Sequence, residues 1–142
     1  MIITTSLILP FIDDQNIPNE WAKQVLSDVQ NLTEEQLHKV ITVFLKDFEE
    51  GLLEAKGWPI HISAYKISKA AMNAYTRILA KKYPNICTNS VHPGFVKTDI
   101  TCNIGELTVT EGAEGPVRLA LLPNAIGKPS GLLFYEHQVL PF

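Results

Sequence analysis

The stretch ISAYKISKAAMNAYTRILAKKYP, residues 62–84, constrains the fold of this chain more than any other. Ser63 can cap a helix here, and Pro84 ends it, because proline brings no amide to the next turn. Between them Ile67, Ala71, Ala74 and Ile78 return at helical spacing as a stripe of mostly small side chains, which lets the helix lie close against a sheet. The chain then runs into ICTNSVHPG, residues 86–94, which reads as a β-strand ending in a Pro-Gly turn.

The other segments extend this pattern. Residues 2–9, IITTSLIL, are β-branched and apolar, as in a buried strand of a parallel sheet. Residues 17–60 read as helical. Pro18 sits near the start of a first helix, with Trp21, Val25 and Val29 following at spacings of four. A second helix begins in LTEEQL: Thr33 caps it, Gln36 completes a capping box, and Leu32 with Leu37 can close a hydrophobic staple. Leu37, Ile41, Phe44, Leu45 and Phe48 draw its apolar face, and Gly51 is its stop. Later, residues 110–122 read as a helix despite Gly115-Pro116, and GLLFYEHQVL, residues 131–140, as a last strand. Strand, helix, strand, helix, strand is the alternation of an α/β protein with a parallel sheet, here of about three strands. No repeat, low-complexity tract or linker divides the chain. The expectation is one domain over 1–142, with strand and turn in 1–16, a helical insertion in 17–60, and the remaining helices and strands in 61–142.

Composition excludes several classes of function. With 46% apolar and 19% charged residues the chain is globular rather than disordered. A net charge of −3 offers no basic stripe to nucleic acid and no polybasic patch to a membrane surface. The longest apolar run, residues 7–12, is interrupted by Pro10 and falls far short of the ~20 residues of a membrane-spanning helix. No basic leader with a cleavage site marks a signal peptide. Cys87 and Cys102 lack metal-ligand spacing and read as free thiols of a reducing compartment, which fits a cytoplasmic protein. His38, His61 and His137 have no partner at metal-binding spacing.

Chemistry concentrates in Tyr65 and Lys69. At i and i+4 they share one helix face. Where a hydroxyl or carbonyl must exchange a proton, a fixed positive charge beside a phenol stabilises the phenolate. The ammonium can also donate hydrogen bonds to a sugar hydroxyl. The same spacing arises by chance on solvated helix faces, so the pair by itself leaves open an active site or two polar residues facing water.

The surroundings of the pair add to that reading. YKISKAAMNAYTRILAKKY, followed by a strand and HPGFVKTDI, resembles the second half of the short-chain dehydrogenase/reductase family. IPNEWAK, the LTEE helix, FLKDF, EAKGWP, VKTDI, EGAEGPVRLALLP and GLLFYE extend the similarity to a plant group of that family, the neomenthol dehydrogenases and salutaridine reductases, over nearly all of residues 17–142. The resemblance implies that Tyr65 is the general acid/base of hydride transfer, and that Lys69 holds the nicotinamide ribose and eases proton loss from Tyr65. Pro93, Gly94, Val96 and Thr98 match the segment lying against the nicotinamide, although Pro93-Gly94 reads equally as a plain strand-ending turn. The family's catalytic Ser falls to Ser6, with Thr5 serving nearly as well. His92 stands where the family has no catalytic residue and is read as structural. The implied cofactor is NADPH/NADP+, and the implied substrate a ketone or secondary alcohol of monoterpenoid or alkaloid type. The insertion would cover the helix face through which many members pair, which implies a monomer.

The resemblance also implies an incomplete fold. A dinucleotide site takes a Gly-rich turn after its first strand, and the glycines here are scattered, with Gly112 and Gly115 inside a late helix. The family's Asn-Asn-Ala-Gly strand has no counterpart either. The chain is therefore expected to be the C-terminal part of a Rossmann-type doubly wound sheet, lacking the first half of the fold. Two functions follow: an NADPH-dependent carbonyl reductase or alcohol dehydrogenase of which this is a part, or a non-catalytic truncated homologue.

Overall fold

Four short strands make one sheet in the order β1-β2-β3-β4: β1 (Ile2–Thr5), β2 (Thr88–His92), β3 (Leu133–Tyr135) and β4 (Gln138–Leu140). The computed structural model describes residues 2–5, 17–122, 129–135 and 138–140. β1, β2 and β3 are parallel, with Val91 beside both Thr5 and Phe134, and β4 turns back antiparallel on β3. The stretch 131–140, expected as one strand, is thus a hairpin: the polar pair Glu136-His137 interrupts the apolar run that suggested a single strand.

Every residue of β2 is buried, as in a strand covered on both faces. Its successive side chains take opposite sides. Ser90 donates from Oγ to Thr76 Oγ1 at 2.9 Å on helix α3 (Ser63–Lys82), whereas Val91 packs with Phe134 and with Leu119 of helix α4 (Val109–Ala120). Helices therefore flank both faces of a mainly parallel sheet, the doubly wound arrangement. The small-residue stripe of α3, Ile67, Ala71, Ala74 and Ile78, is buried as its spacing predicts, but its partner is corrected: it packs with the helical insertion, and α3 meets the sheet at Thr76 instead. The cap is corrected by one residue. Ser63 is the first helical residue and is buried, while Ile62 precedes it in a left-handed conformation (φ 46°) with no side-chain cap.

The insertion folds as helices α1 (Glu20–Ser27) and α2 (Glu34–Glu49), both packed on α3. Asn19 joins two segments: Oδ1 accepts the Ala22 N–H at 2.9 Å to cap α1, and Nδ2 donates to the Lys56 carbonyl at 2.7 Å. The capping box of α2 is formed, with Thr33 Oγ1 accepting from Gln36 N at 3.2 Å and Gln36 Oε1 accepting from Thr33 N at 2.9 Å. Gly51 follows the helix at φ 69°, the left-handed stop that glycine makes inexpensive.

Two apolar faces are rotated from expectation. α1 buries Ala22 and Leu26 in the cluster it shares with α2 and α3 and leaves Trp21 and Val29 exposed. α2 buries Leu37, Val40, Phe44 and Asp47 against α1, α3 and the following loop, and Leu45 and Phe48 stay 50% exposed beside that stripe. Buried Trp58 locks the following loop onto α2. Its Nε1–H donates to Asp47 Oδ2 at 2.7 Å, and its ring meets Phe44 edge-on at 5.3 Å. The Arg77 guanidinium of α3 donates to the Leu26 carbonyl, one of the acceptors that the last turn of α1 leaves without an intrahelical donor.

Candidate active site

Tyr65 and Lys69 lie in the first half of α3 and are each half-buried. The Lys69 ammonium sits 5.5 Å from the centre of the Tyr65 ring, within cation–π range, and reaches Met72 Sδ at 3.9 Å. Helix spacing alone guarantees only a shared face; here the ammonium also lies over the phenol ring. Their level along the sheet follows from the Thr76–Ser90 bond, which fixes the middle of α3 against the middle of β2. Lys69 is about two turns, or ~10 Å, toward the start of α3, and Tyr65 about three turns, or ~16 Å. Pro93-Gly94 lies roughly 10–13 Å beyond Ser90 along the strand direction. Because α3 runs opposite to the strands it joins, both groups come to the carboxyl edge of the sheet, where ligands of open α/β sheets bind.

The segment after β2 is built to a fixed shape. Gly94 adopts φ 84°, and a Cβ there would stand 2.4 Å from Leu107 Cδ1. Its N–H donates to His92 Nδ1 at 2.8 Å, so the expected structural role of His92 has a definite contact. Residues 95–97 are then laced to 106–107 by Glu106 N–H to Phe95 O at 2.7 Å, Leu107 N–H to Phe95 O at 3.0 Å and Lys97 N–H to Leu107 O at 2.8 Å. Val96 is buried between two glycines: a Cβ on Gly105 would stand 2.2 Å from the Val96 carbonyl carbon, and one on Gly112 would stand 2.4 Å from Val96 Cγ2. Thr98 opens a single 3-10 turn, Asp99–Thr101, in which Thr101 Oγ1 donates to Val96 O at 2.7 Å and accepts from Thr98 N at 3.0 Å.

The structure thus places Tyr65 and Lys69 together, and Pro93, Gly94, Val96 and Thr98 together on one braced segment at the same edge of the sheet. Ser6 lies outside the described residues, and β1 carries the chain to Thr5 immediately before it, at that same edge. Gly105, Gly112 and Leu107, which hold Val96, were not singled out as site residues. The two glycines mark places where backbone or a branched side chain presses, a signal that needs the fold to be read, and Leu107 carries no sequence signal of its own.

Behind the turn, His92, Pro93, Leu107, Glu111, Gly112 and Gly115 line a cavity of about 240 Å³. Glu111 also closes the capping box of α4, accepting from Thr108 N at 2.7 Å and from Thr108 Oγ1 at 2.7 Å. These bonds, chiefly the backbone one, hold its carboxyl below the ordinary glutamate value. A second, apolar groove of about 500 Å³ runs between α2 and α3, past Ile41, Leu45, Ser68, Met72 and Tyr75. Among the described residues no His, Cys, Asp and Glu cluster could hold a metal ion, and no helix is long and apolar enough to cross a membrane.

Comparison with known proteins gives concordant matches. A family model described as enoyl-(acyl carrier protein) reductase matches residues 52–134. The chain is similar to short-chain dehydrogenase/reductase 1 of Saponaria officinalis, 54% identical over 128 residues, which are 90% of this chain and 42% of that protein. It is 56% identical over 124 residues to (+)-neomenthol dehydrogenase of Capsicum annuum, 87% of this chain and 39% of that protein. Carbonyl reductase (NADPH) 3 of Rattus norvegicus is 43% identical over 114 residues, 76% of this chain and 40% of that protein. Among solved structures, salutaridine reductase from Papaver somniferum matches with a TM-score of 0.86 at 44% identity, covering 95% of this chain and 44% of that one. The chain spans about two fifths of the length of the curated relatives it matches.

Proposed function

The chain belongs to the short-chain dehydrogenase/reductase family, and we propose that it serves an NADP(H)-dependent oxidoreductase interconverting a ketone and a secondary alcohol. The observation that carries this reading is the Tyr65–Lys69 pair, with an ammonium 5.5 Å from the phenol ring at the carboxyl edge of a parallel sheet. The donor set suits a nicotinamide nucleotide: Lys69 offers N–H donors to ribose hydroxyls, and the braced segment through Pro93, Gly94, Val96 and Thr98 offers a rigid wall to a flat ring. When bound, the nicotinamide supplies hydride to the carbonyl carbon or accepts it back from the alcohol.

In the reducing direction Tyr65 donates its phenolic proton to the carbonyl oxygen, and the Lys69 charge stabilises the phenolate left behind. In the oxidising direction Tyr65 takes the hydroxyl proton. Ser6, or Thr5 in its stead, is the third member of the set. The names of the relatives support a monoterpenoid- or alkaloid-like ketone as substrate, and NADPH over NADH. The covering of one face of α3 by α1 and α2 supports a monomer, and the charge and the free thiols support a cytoplasmic enzyme without nucleic-acid or membrane partners. Residues 1–142 act as one partial Rossmann-type domain.

The test is NADPH fluorescence titration of the purified chain, followed by NADPH consumption with a cyclic monoterpenoid ketone. Tyr65→Phe is expected to bind NADPH as the parent does and to lose turnover by on the order of a hundred- to ten-thousand-fold. Lys69→Met is expected to weaken binding and turnover together. A Tyr65→Phe variant that turns over at the parent rate refutes the assignment.

A further inference from the structure

We infer that His92 is a positioning residue for the nicotinamide wall: its Nδ1 accepts the Gly94 N–H and so sets the turn that carries Pro93 and Gly94 to the cofactor. The inference rests on the cofactor reading above. The parallel ladder ends with His92 beside Tyr135, so the Gly94 amide lies beyond the last strand partner. A glycine at φ 84° is free to take either sign of φ, and nothing in its own covalent geometry holds the turn. A buried amide must nonetheless find an acceptor, and the acceptor at 2.8 Å is the His92 ring.

That ring is itself held in place. It is 6% exposed, meets Tyr135 edge-on at 5.2 Å with an interplanar angle of 69°, and borders the cavity formed with Leu107, Glu111, Gly112 and Gly115. A ring accepting at Nδ1 is neutral and carries its proton on Nε2, because an imidazolium has donors at both nitrogens. The contact therefore selects one tautomer, and this gives it a signature that packing alone would not have. Leucine fills similar space but leaves the Gly94 N–H without its acceptor. Asparagine keeps an acceptor oxygen at the same bond count from the backbone.

The experiment compares the parent chain with His92→Leu and His92→Asn by nitrogen-15 NMR and by NADPH titration. The parent is expected to show the His92 proton on Nε2 and a slowly exchanging Gly94 amide. His92→Leu is expected to lose about tenfold in Gly94 protection and about tenfold in NADPH affinity, the effect of leaving a buried donor unpaired. His92→Asn is expected to restore both. A proton on Nδ1 in the parent overturns the inference, and decides the matter even if the leucine variant does not fold. A folded asparagine variant as impaired as the leucine one overturns it too, since packing would then be the whole role. So does loss of Gly94 protection without loss of NADPH affinity. A parent chain that protects Gly94 but does not bind NADPH defeats the cofactor reading and the positioning role together, whereas binding with the wrong tautomer defeats only the latter.

Discussion

Gly105→Ala probes how the segment around Val96 is held. The new methyl would stand 2.2 Å from the Val96 carbonyl carbon, 2.4 Å from its oxygen and 2.5 Å from Lys97 N. Gly105 is not in the left-handed region, so the cost is one of contact alone. Carbon atoms in contact want about 3.5 Å or more, so the two backbone runs must part by roughly 1 Å. The bonds joining them, Lys97 N–H to Leu107 O at 2.8 Å and Leu107 N–H to Phe95 O at 3.0 Å, would be drawn past hydrogen-bonding range, and Glu106 N–H to Phe95 O would be strained. At ~1 kcal/mol net for each bond, the loss is about 2–3 kcal/mol, which also matches the range for overpacking a tight site.

The control is Gly51→Ala. No atom lies within 4 Å of the added methyl, but φ is 69°, so only the backbone penalty of about 1 kcal/mol applies. Urea unfolding of the two variants against the parent reads the difference. With a slope of ~2 kcal/mol per molar, Gly105→Ala should lower the midpoint by about 1 M and Gly51→Ala by about half that. Only Gly105→Ala should also weaken NADPH binding, because only it moves Val96. A Gly105→Ala midpoint equal to the parent's, or higher than that of Gly51→Ala, would refute the claim that this contact fixes the segment.

Two further outcomes follow from single contacts. Trp58→Phe keeps most of the ring against Phe44 but removes the donor to the buried Asp47 carboxylate at 2.7 Å, so thermal unfolding should show a loss of about 2–3 kcal/mol; Asp47→Asn should cost less, since an amide oxygen still accepts that bond. Glu111 has a folded pKa held below its ordinary 4.5, so its stabilising effect is complete above that value and is lost as pH falls through the lowered one; urea midpoints of the parent and Glu111→Gln should therefore differ near neutral pH and converge in acid, and a difference that grows in acid contradicts the capping account.

Local signals were legible where one residue's chemistry decides the outcome. The capping box of Thr33 and Gln36 was readable because both partners lie within four residues, and Gly51 because a left-handed stop favours glycine. The apolar stripe of α3 was readable because the helix is long and its period repeats. What failed depended on distant partners. Leu45 and Phe48 belong to the face drawn by spacing, yet the neighbours of α2, which are α1, α3 and Trp58, cover Leu37, Val40 and Phe44 with Asp47 and leave those two half-exposed. The hairpin of β3 and β4 was hidden because an apolar run with two polar residues in it reads as one strand. For the site, Tyr65 and Lys69 could be placed on one face, but their standing at the same sheet edge as the braced segment depends on where Thr76 meets Ser90.

The same contacts explain why the pair is presented so firmly. α3 answers to three neighbours at once. Thr76 ties it to β2; Ile67, Ala70, Ala71, Ala74 and Ile78 bury it against the insertion, with Arg77 bound to the end of α1; and Tyr65 with Lys69 occupies the remaining side. Small residues on the buried sides bring the neighbours close, so rotation or sliding of the helix would drive backbone against side chains. The insertion therefore does more than cover α3. Through Asn19 to Lys56, and Trp58 to Asp47, it also grips the loop that leads into the helix. That loop ends at Ile62, a β-branched residue held left-handed directly before the turn bearing Tyr65, a conformation that persists only where the surroundings impose it. The restraint is concentrated at the mouth of α3, and this is where a proton-transferring phenol has most to gain from being fixed.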